Sequence, residues 1–428
     1  MRSLSVAVVL QWVGAGALLP LLPLYVKERG GSDFVVGAVM AAYFAGAFAC
    51  QYLAGRLSDS LGRLPVLVGG LLVYALGSVL FLVPAPPGLE VAYRGLQGAG
   101  AGGAMVAALA AVSTSVPLSH RGRAAGRLYG AQLGGLAVGP ALGSLAGVGA
   151  MRWLFVAAAV AAVAAVGPVW AAWRRDAPDA VIGSAALGHG GREGGRWGAD
   201  ARPLVVVSGE AATEVAVPAG VPSTIGAHVA RRAVLGALLA GGMIGVTSGV
   251  YESCWTLLMT RHGASQWEIG ISWTLFALPF ALMSRPAGWL ADHLDRRWLA
   301  VASLLWSVAF CATYPFLPGY VVLMALGVWE SLGFSIALPA CQSLLGEATA
   351  PERHGHAQGS FAASQTATTA LAAACAGVLF GVAAWLPFVS AAACCVAIVV
   401  GVAACWRRVP GRVGRPMASE GTLVAEGT

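Results

Sequence analysis

Charge is what this chain has least of. Of its 428 residues only 11% are Asp, Glu, Lys or Arg, against about 25% in an ordinary soluble protein. Lysine is all but missing: Lys27 stands alone, so 25 of the 26 basic residues are arginines. With 58% hydrophobic residues, 58 glycines and a mean hydropathy of +0.75, too few polar side chains exist to clothe a water-facing surface of this size. The same figures exclude a disordered chain, a collagen repeat and a disulfide scaffold. The eight cysteines, from Cys50 to Cys405, all fall inside apolar runs, and none forms a Cys-x-x-Cys pair. They read as small packing residues, so no metal site and no cofactor is expected. A net charge of +7 would suit nucleic acid, but the arginines sit in short clusters between apolar runs, which removes that partner. The composition calls for a lipid bilayer.

Apolar runs recur at 4–26, 35–54, 65–84, 90–113, 124–148 and 153–173, then at 233–259, 267–287, 298–317, 320–345, 357–384 and 386–406. Each suffices for a crossing at about 20 residues, and each is apolar around its circumference, as a helix among lipid and other helices should be. The expected fold is an all-α polytopic membrane protein of twelve transmembrane helices in two six-helix bundles. The domains expected are residues 1–173, a flexible linker at 174–232, the second bundle at 233–406 and a disordered tail at 407–428. Arg2 before the first run imitates a signal peptide, but the run reaches Val26 without a small-residue cleavage site, so a retained first helix is expected.

Twenty-one of the 26 basic residues fall on one side of this arrangement, counting both termini and the linker. Four (Lys27, Arg29, Arg152 and Arg261) fall on the other, and Arg94 lies within a helix. The positive-inside rule therefore puts both termini in the cytoplasm, and that placement requires an even number of crossings, as counted. Trp153, Trp173, Trp267, Trp298, Trp385 and Trp406 mark helix ends, where indole rings favour the headgroup zone.

An internal repeat with an offset of 233 is the most informative pattern. Gly55-Arg-Leu-Ser-Asp59-Ser-Leu-Gly62-Arg63 follows the second run, and Gly288-Trp-Leu-Ala-Asp292-His-Leu-Asp295-Arg296 follows the eighth. The same offset relates Gly122 to Gly355, Gly126 to Gly359 and Gln132 to Gln365. Two six-helix halves in the same orientation follow, an arrangement in which transporters place substrate at the midplane between the halves. On these residues the sequence resembles the major facilitator superfamily, over nearly all of the chain outside linker and tail. Gly55, Asp59, Gly62 and Arg63, with Gly288, Asp292 and Arg296, resemble that superfamily's signature loop, which implies a part in interconverting conformations. Ser60, Leu64 and Asp295 depart from the pattern.

Arg94, Gln97, Gly98 and Ala101 share one face of the fourth helix by spacing. An arginine at membrane depth needs a polar cavity or a partner, although bonding to backbone carbonyls also accommodates one. The segment resembles the superfamily's helix 4 pattern, which implies proton coupling. Gly135, Gly139, Pro140 and Gly143 form a flat stripe on helix 5 with a kinking proline. This resembles the Gly-Pro motif of drug–proton antiporters and implies export, while close packing explains the glycines equally well. Gly14-x5-Pro20-x-x-Pro23 is similar to a helix 1 motif of twelve-helix drug exporters.

Two carboxylates lie deep in helices. Glu252 sits in the outer part of helix 7, and Glu330 is roughly 17 Å along helix 10 at about 1.5 Å per residue. Membrane carboxylates suit proton or cation handling, with Arg94 as their electrostatic partner, and a neutral acid bonded across helices is the plainer alternative. Tyr251, Trp255 and Trp329 accompany them and would favour a lipophilic cation. Gln11, Gln97, Gln132 and Gln365 complete the expected cavity. The function expected is proton-coupled efflux of small lipophilic or cationic compounds by alternating access. The expected setting is a monomer in the cell membrane, with small-molecule substrate, protons and lipid as its partners. Proton-linked uptake or facilitated transport of a specific metabolite is the alternative. A membrane enzyme is disfavoured because neither His-Glu-x-x-His nor Gly-x-Ser-x-Gly occurs.

Overall fold

A computed structural model describes residues 2–115, 118–185, 227–349 and 354–409. Its helices are α1 (Arg2–Leu18), α2 (Leu22–Glu28), α3 (Asp33–Leu61), α4 (Arg63–Leu80), α5 (Pro87–Ser115), α6 (Leu118–Ala146) and α7 (Met151–Ala185). The second half holds α8 (Ala227–Arg261), α9 (Gln266–His293), α10 (Arg296–Thr313), α11 (Tyr320–Glu347), α12 (His354–Val382) and α13 (Leu386–Trp406). Among the described residues ten helical spans are long and apolar enough to cross a membrane, and α6 and α9 complete the twelve-helix fold. The first expected crossing is two helices. The chain turns at Leu19–Leu21, and α2 restarts with Pro23 in its first turn, where a missing N–H costs nothing.

Local chemistry sets the helix starts. Ser32 caps α3 by accepting from the Val35 amide, and Ser265 and Glu268 form a reciprocal capping box on α9. The two signature loops are closed differently. Gly62 joins α3 to α4 at φ 89°, a left-handed conformation that favours glycine. Its repeat partner Asp295 instead has φ −68° and caps α10 by accepting from the Arg297 amide. The departure from glycine is thus accommodated by a capping carboxylate. The Arg297 side chain also bonds Asp295, at 2.6 Å, holding its carboxyl below the usual range, and donates to the Val409 carbonyl. Arg296 pairs with Glu347 at the far end of α11.

The segment expected as a linker is helical where it is described. Helix α7 continues to Ala185 and α8 begins at Ala227, so both ends of 174–232 are helical. The remainder, 186–226, and the tail from 410 lie outside the described residues. Of the tryptophans expected at helix ends, Trp153, Trp267, Trp298 and Trp385 are exposed, and Trp406 does end α13, but its ring is 1% exposed and donates to the Ala233 carbonyl at 3.2 Å instead of facing outward. It packs α13 onto α8. Trp173 is a helical residue of α7.

Inside each half, small residues permit close crossings. A Cβ placed on Gly135 would fall 2.7 Å from that of Trp12, and one on Gly139 would fall 2.6 Å from the Val13 carbonyl. Gly143 abuts the Ala17 backbone. The stripe of α6 therefore seats α1, with Pro140 inside the helix beside Gly16.

Between halves, α3 crosses α12 and α6 crosses α9, and the offset of 233 holds here as well. Gly37 packs on Gly377 and the Ala373 carbonyl, while Gly270 packs on Ser144 and the Pro140 carbonyl. The Gln266 side chain accepts from the Val148 amide at 2.8 Å, and Thr256 donates to the Pro20 carbonyl at 3.0 Å. All these contacts lie at the end opposite the signature loops. Toward the loops, Gly126, Gly130 and Gly134 of α6 and Gly355 and Gly359 of α12 face open space. The halves are sealed at one end and parted at the other.

Candidate functional site

Each half buries one polar centre at a similar depth. In the first half Arg94, 2% exposed on α5, donates to Gln97 Oε1 at 2.8 Å, and Gln97 donates to Ser78 Oγ at 2.9 Å. The Arg94 guanidinium also lies over the Tyr43 ring, 4.4 Å from its centroid, a favourable place for a desolvated cation. Residues 94 and 97 meet because three positions is nearly one helical turn. Arg94 Nε and the Tyr74 hydroxyl, both buried, have no hydrogen-bond partner. The guanidinium thus hydrogen-bonds a side chain, that of Gln97.

In the second half Glu330, 1% exposed, accepts three hydroxyl donors at 2.7 Å each. Tyr251 of α8 and Ser307 of α10 donate to Oε1, and Tyr314, beyond the end of α10, donates to Oε2. A carboxylate offers about four acceptor positions, so Oε2 keeps one. Beside the carboxylate lies a cavity of about 30 Å³, walled by Trp255, Trp273, Phe276, Met324 and Gly327 with the two tyrosines. Trp255 Nε1 donates to Ser272 at 2.9 Å, which holds its ring edge-on to Tyr314 at 5.0 Å.

Glu252 connects the two centres. It follows Tyr251 on α8 but faces the other half, within Coulombic reach of Arg94 and Tyr43. Its Oε2 is buried without a hydrogen-bond partner. Adjacent residues on one helix thus address different halves, as a rotation of about 100° per residue requires.

Not every residue expected in the cavity lies there. Trp329 is 58% exposed, and it is its backbone carbonyl, not its ring, that engages Trp306. One position from Glu330, it points away from the carboxylate and does not line this cavity. Gln97 belongs to the Arg94 centre. Gln11 is buried with its Nε2 unpartnered, and Gln132 and Gln365 are half-buried on α6 and α12. The 30 Å³ cavity is lined by none of these four. Asp59 and Gly62 are exposed and Arg63 is half-buried, at the loop end, while Gly288 and Asp292 fall in the last turns of α9. Ser307, Tyr314, Trp273 and Phe276 were missed, as were Tyr43, Tyr74 and Ser78. Among the described residues no group of three or more His, Cys, Asp or Glu is placed to hold a metal.

Comparison with known proteins agrees with this architecture. An uncharacterized MFS-type transporter of Mycobacterium tuberculosis is 38% identical over 144 residues, 33% of this chain and 21% of that protein. Multidrug resistance protein 2 of Bacillus subtilis is 29% identical over 151 residues, 35% of this chain and 38% of its own length. The matches therefore span well under half the length of these relatives. Among solved structures, a D-xylose–proton symporter superposes with a TM-score of 0.66 at 14% identity, covering 96% of this chain and 98% of its own, which shows the fold. The sequence pattern of the Major Facilitator Superfamily matches residues 4–254 and again 233–423. Taken with the repeated six-helix halves and the buried charges at their midplane, these matches establish that the chain belongs to the Major Facilitator Superfamily of membrane transporters.

Proposed function

We propose that the protein is a proton-coupled exporter of small lipophilic or cationic compounds. It would work as a monomer in the cell membrane with both termini in the cytoplasm. The observation that carries the reading is Glu330, a buried carboxylate on three hydroxyls at the edge of an aromatic-walled cavity. Negative charge and ring faces together favour an apolar cation over a sugar or an anion. The unpartnered Glu252 oxygen near Arg94 supports a second, proton-handling role at the junction of the halves. Loading a proton on Glu252 removes its attraction to the guanidinium, and that change is the differential interaction a rocking motion requires. The parted loop end, cytoplasmic by the arginine distribution, is where substrate would enter. The Bacillus subtilis relative's name accords with export.

The test is accumulation of a fluorescent lipophilic cation in cells lacking other pumps, with and without an uncoupler. Expression should lower accumulation, the uncoupler should abolish the effect, and Glu252→Gln and Glu330→Gln should each match the empty vector while reaching the membrane. Full uncoupler-sensitive efflux by both variants would refute the assignment, and unchanged accumulation by the parent would favour uptake of a metabolite.

A further inference from the structure

The offset that relates the two halves also relates their polar centres. Adding 233 to the first-half residues turns Gln97 into Glu330, Tyr43 into Phe276 and Arg94 into Gly327. The helices obey the same offset, since α4 begins at Arg63 and α10 at Arg296, and α5 at Pro87 and α11 at Tyr320. In the first half Arg94 extends from its helix, stacks over Tyr43 and bonds the Gln97 side-chain oxygen. In the second half all three equivalents line the 30 Å³ cavity, and a Cβ built on Gly327 has only the Tyr314 hydroxyl nearby, at 3.9 Å. A side chain can therefore start from this position without a clash, and the cavity lies beside it. The ring platform is kept as Phe276, and the amide acceptor has become a carboxylate.

We propose that this cavity is a substrate headgroup site for a guanidinium or amidinium cation, seated as the Arg94 guanidinium is seated in the other half. The planar group stacks on Phe276 and donates N–H to the free acceptor position of Glu330 Oε2. Its apolar remainder lies against the Trp255, Trp273 and Met324 walls of the cavity. A planar cation with N–H donors suits a carboxylate that already holds three donors, because it needs one direction of approach. A tetraalkylammonium has no N–H to offer the carboxylate. This inference rests on the reading of the protein as a cation exporter, and narrows it to a class of headgroup.

The experiment is equilibrium dialysis of radiolabelled phenylguanidinium against the purified full chain in lipid nanodiscs. The parent should bind it, and Glu330→Gln should lose at least tenfold in affinity. Gly327→Arg would supply the guanidinium from the chain itself, so it should also lose at least tenfold. Gly69→Ala, remote from the cavity in open space, should bind as the parent does. Tetraethylammonium at equal concentration should compete at least tenfold more weakly than unlabelled phenylguanidinium. Parental affinity in a monodisperse Gly327→Arg protein, equal competition by tetraethylammonium, or no binding by the parent would each overturn the proposal. If Gly327→Arg does not fold, Glu330→Gln decides, and unchanged affinity there overturns it too. Binding with no uncoupler-sensitive efflux would overturn export and leave the site standing. Efflux of other cations without phenylguanidinium binding would do the reverse.

Discussion

The seal between the halves makes a quantitative test of how the protein moves. Gly37 of α3 packs so tightly on α12 that an added Cβ would fall 2.7 Å from Gly377 Cα and 2.8 Å from the Ala373 carbonyl oxygen. Both atoms are backbone and cannot rotate away, so Gly37→Ala must push the two helices apart. Overpacking of this kind costs roughly 1–3 kcal/mol. The contact joins the halves, so the cost falls on the sealed conformation and not on the fold of either half. It should shift the balance toward opening at that end by about 5- to 150-fold. Val148, 3% exposed and bonded through its amide to Gln266, reports on the opening. A Val148→Cys protein, with the more exposed Cys50, Cys375, Cys394 and Cys405 replaced by serine, should react with a polar maleimide at least fivefold faster when Gly37→Ala is added. Gly69→Ala is the control, since its Cβ meets nothing within 4 Å. Equal rates for the two alanine variants would refute the claim that this crossing is the seal.

Gly139→Ala acts within one half, where its Cβ meets the Val13 carbonyl at 2.6 Å and the Ala17 amide at 2.9 Å. A loss of roughly 1–3 kcal/mol should lower the melting temperature in detergent, and an unchanged value would show that α1 and α6 separate freely. Asp59→Asn at the exposed loop end should slow turnover while substrate affinity stays within about twofold, read as a lowered maximal rate in proteoliposomes. Asp295, its carboxyl held low by Arg297, contributes stability that is present above its unfolded value of about 3.9 and lost as pH falls below it. A melt series from pH 6 to pH 3 should therefore show a steeper acid-side fall for the parent than for Asp295→Asn, and parallel curves would remove the carboxylate from the loop's stability.

Much of the candidate site was legible in advance, for reasons specific to each residue. Arg94, Glu252 and Glu330 stood out because ionisable groups at that depth are costly without a use. Trp329 was misplaced because adjacency in sequence is not adjacency on a helix: one step from Glu330 is about 100° around the axis. Tyr314 and Ser307 escaped notice because neither a hydroxyl nor a ring in an apolar run announces its direction. The 233 offset held a usable signal for Phe276 and Gly327, through Tyr43 and Arg94, that became meaningful only when the stacking of Arg94 on Tyr43 was seen.

The amino-acid sequence by itself determined the bilayer setting, the twelve apolar runs, the twofold repeat and the family. Each depends on composition or on periodicity along the chain, and the scarcity of charge makes every charged position informative. The tertiary structure decided which face of each helix turns inward, which end is sealed, and that Tyr251 and Glu252 serve different halves. In lipid a helix is apolar on all sides, so hydrophobic patterning cannot mark the inner face as it does in water. Packing of small residues and pairing of the few buried polar groups settle that instead, and both are contacts between residues far apart in the chain.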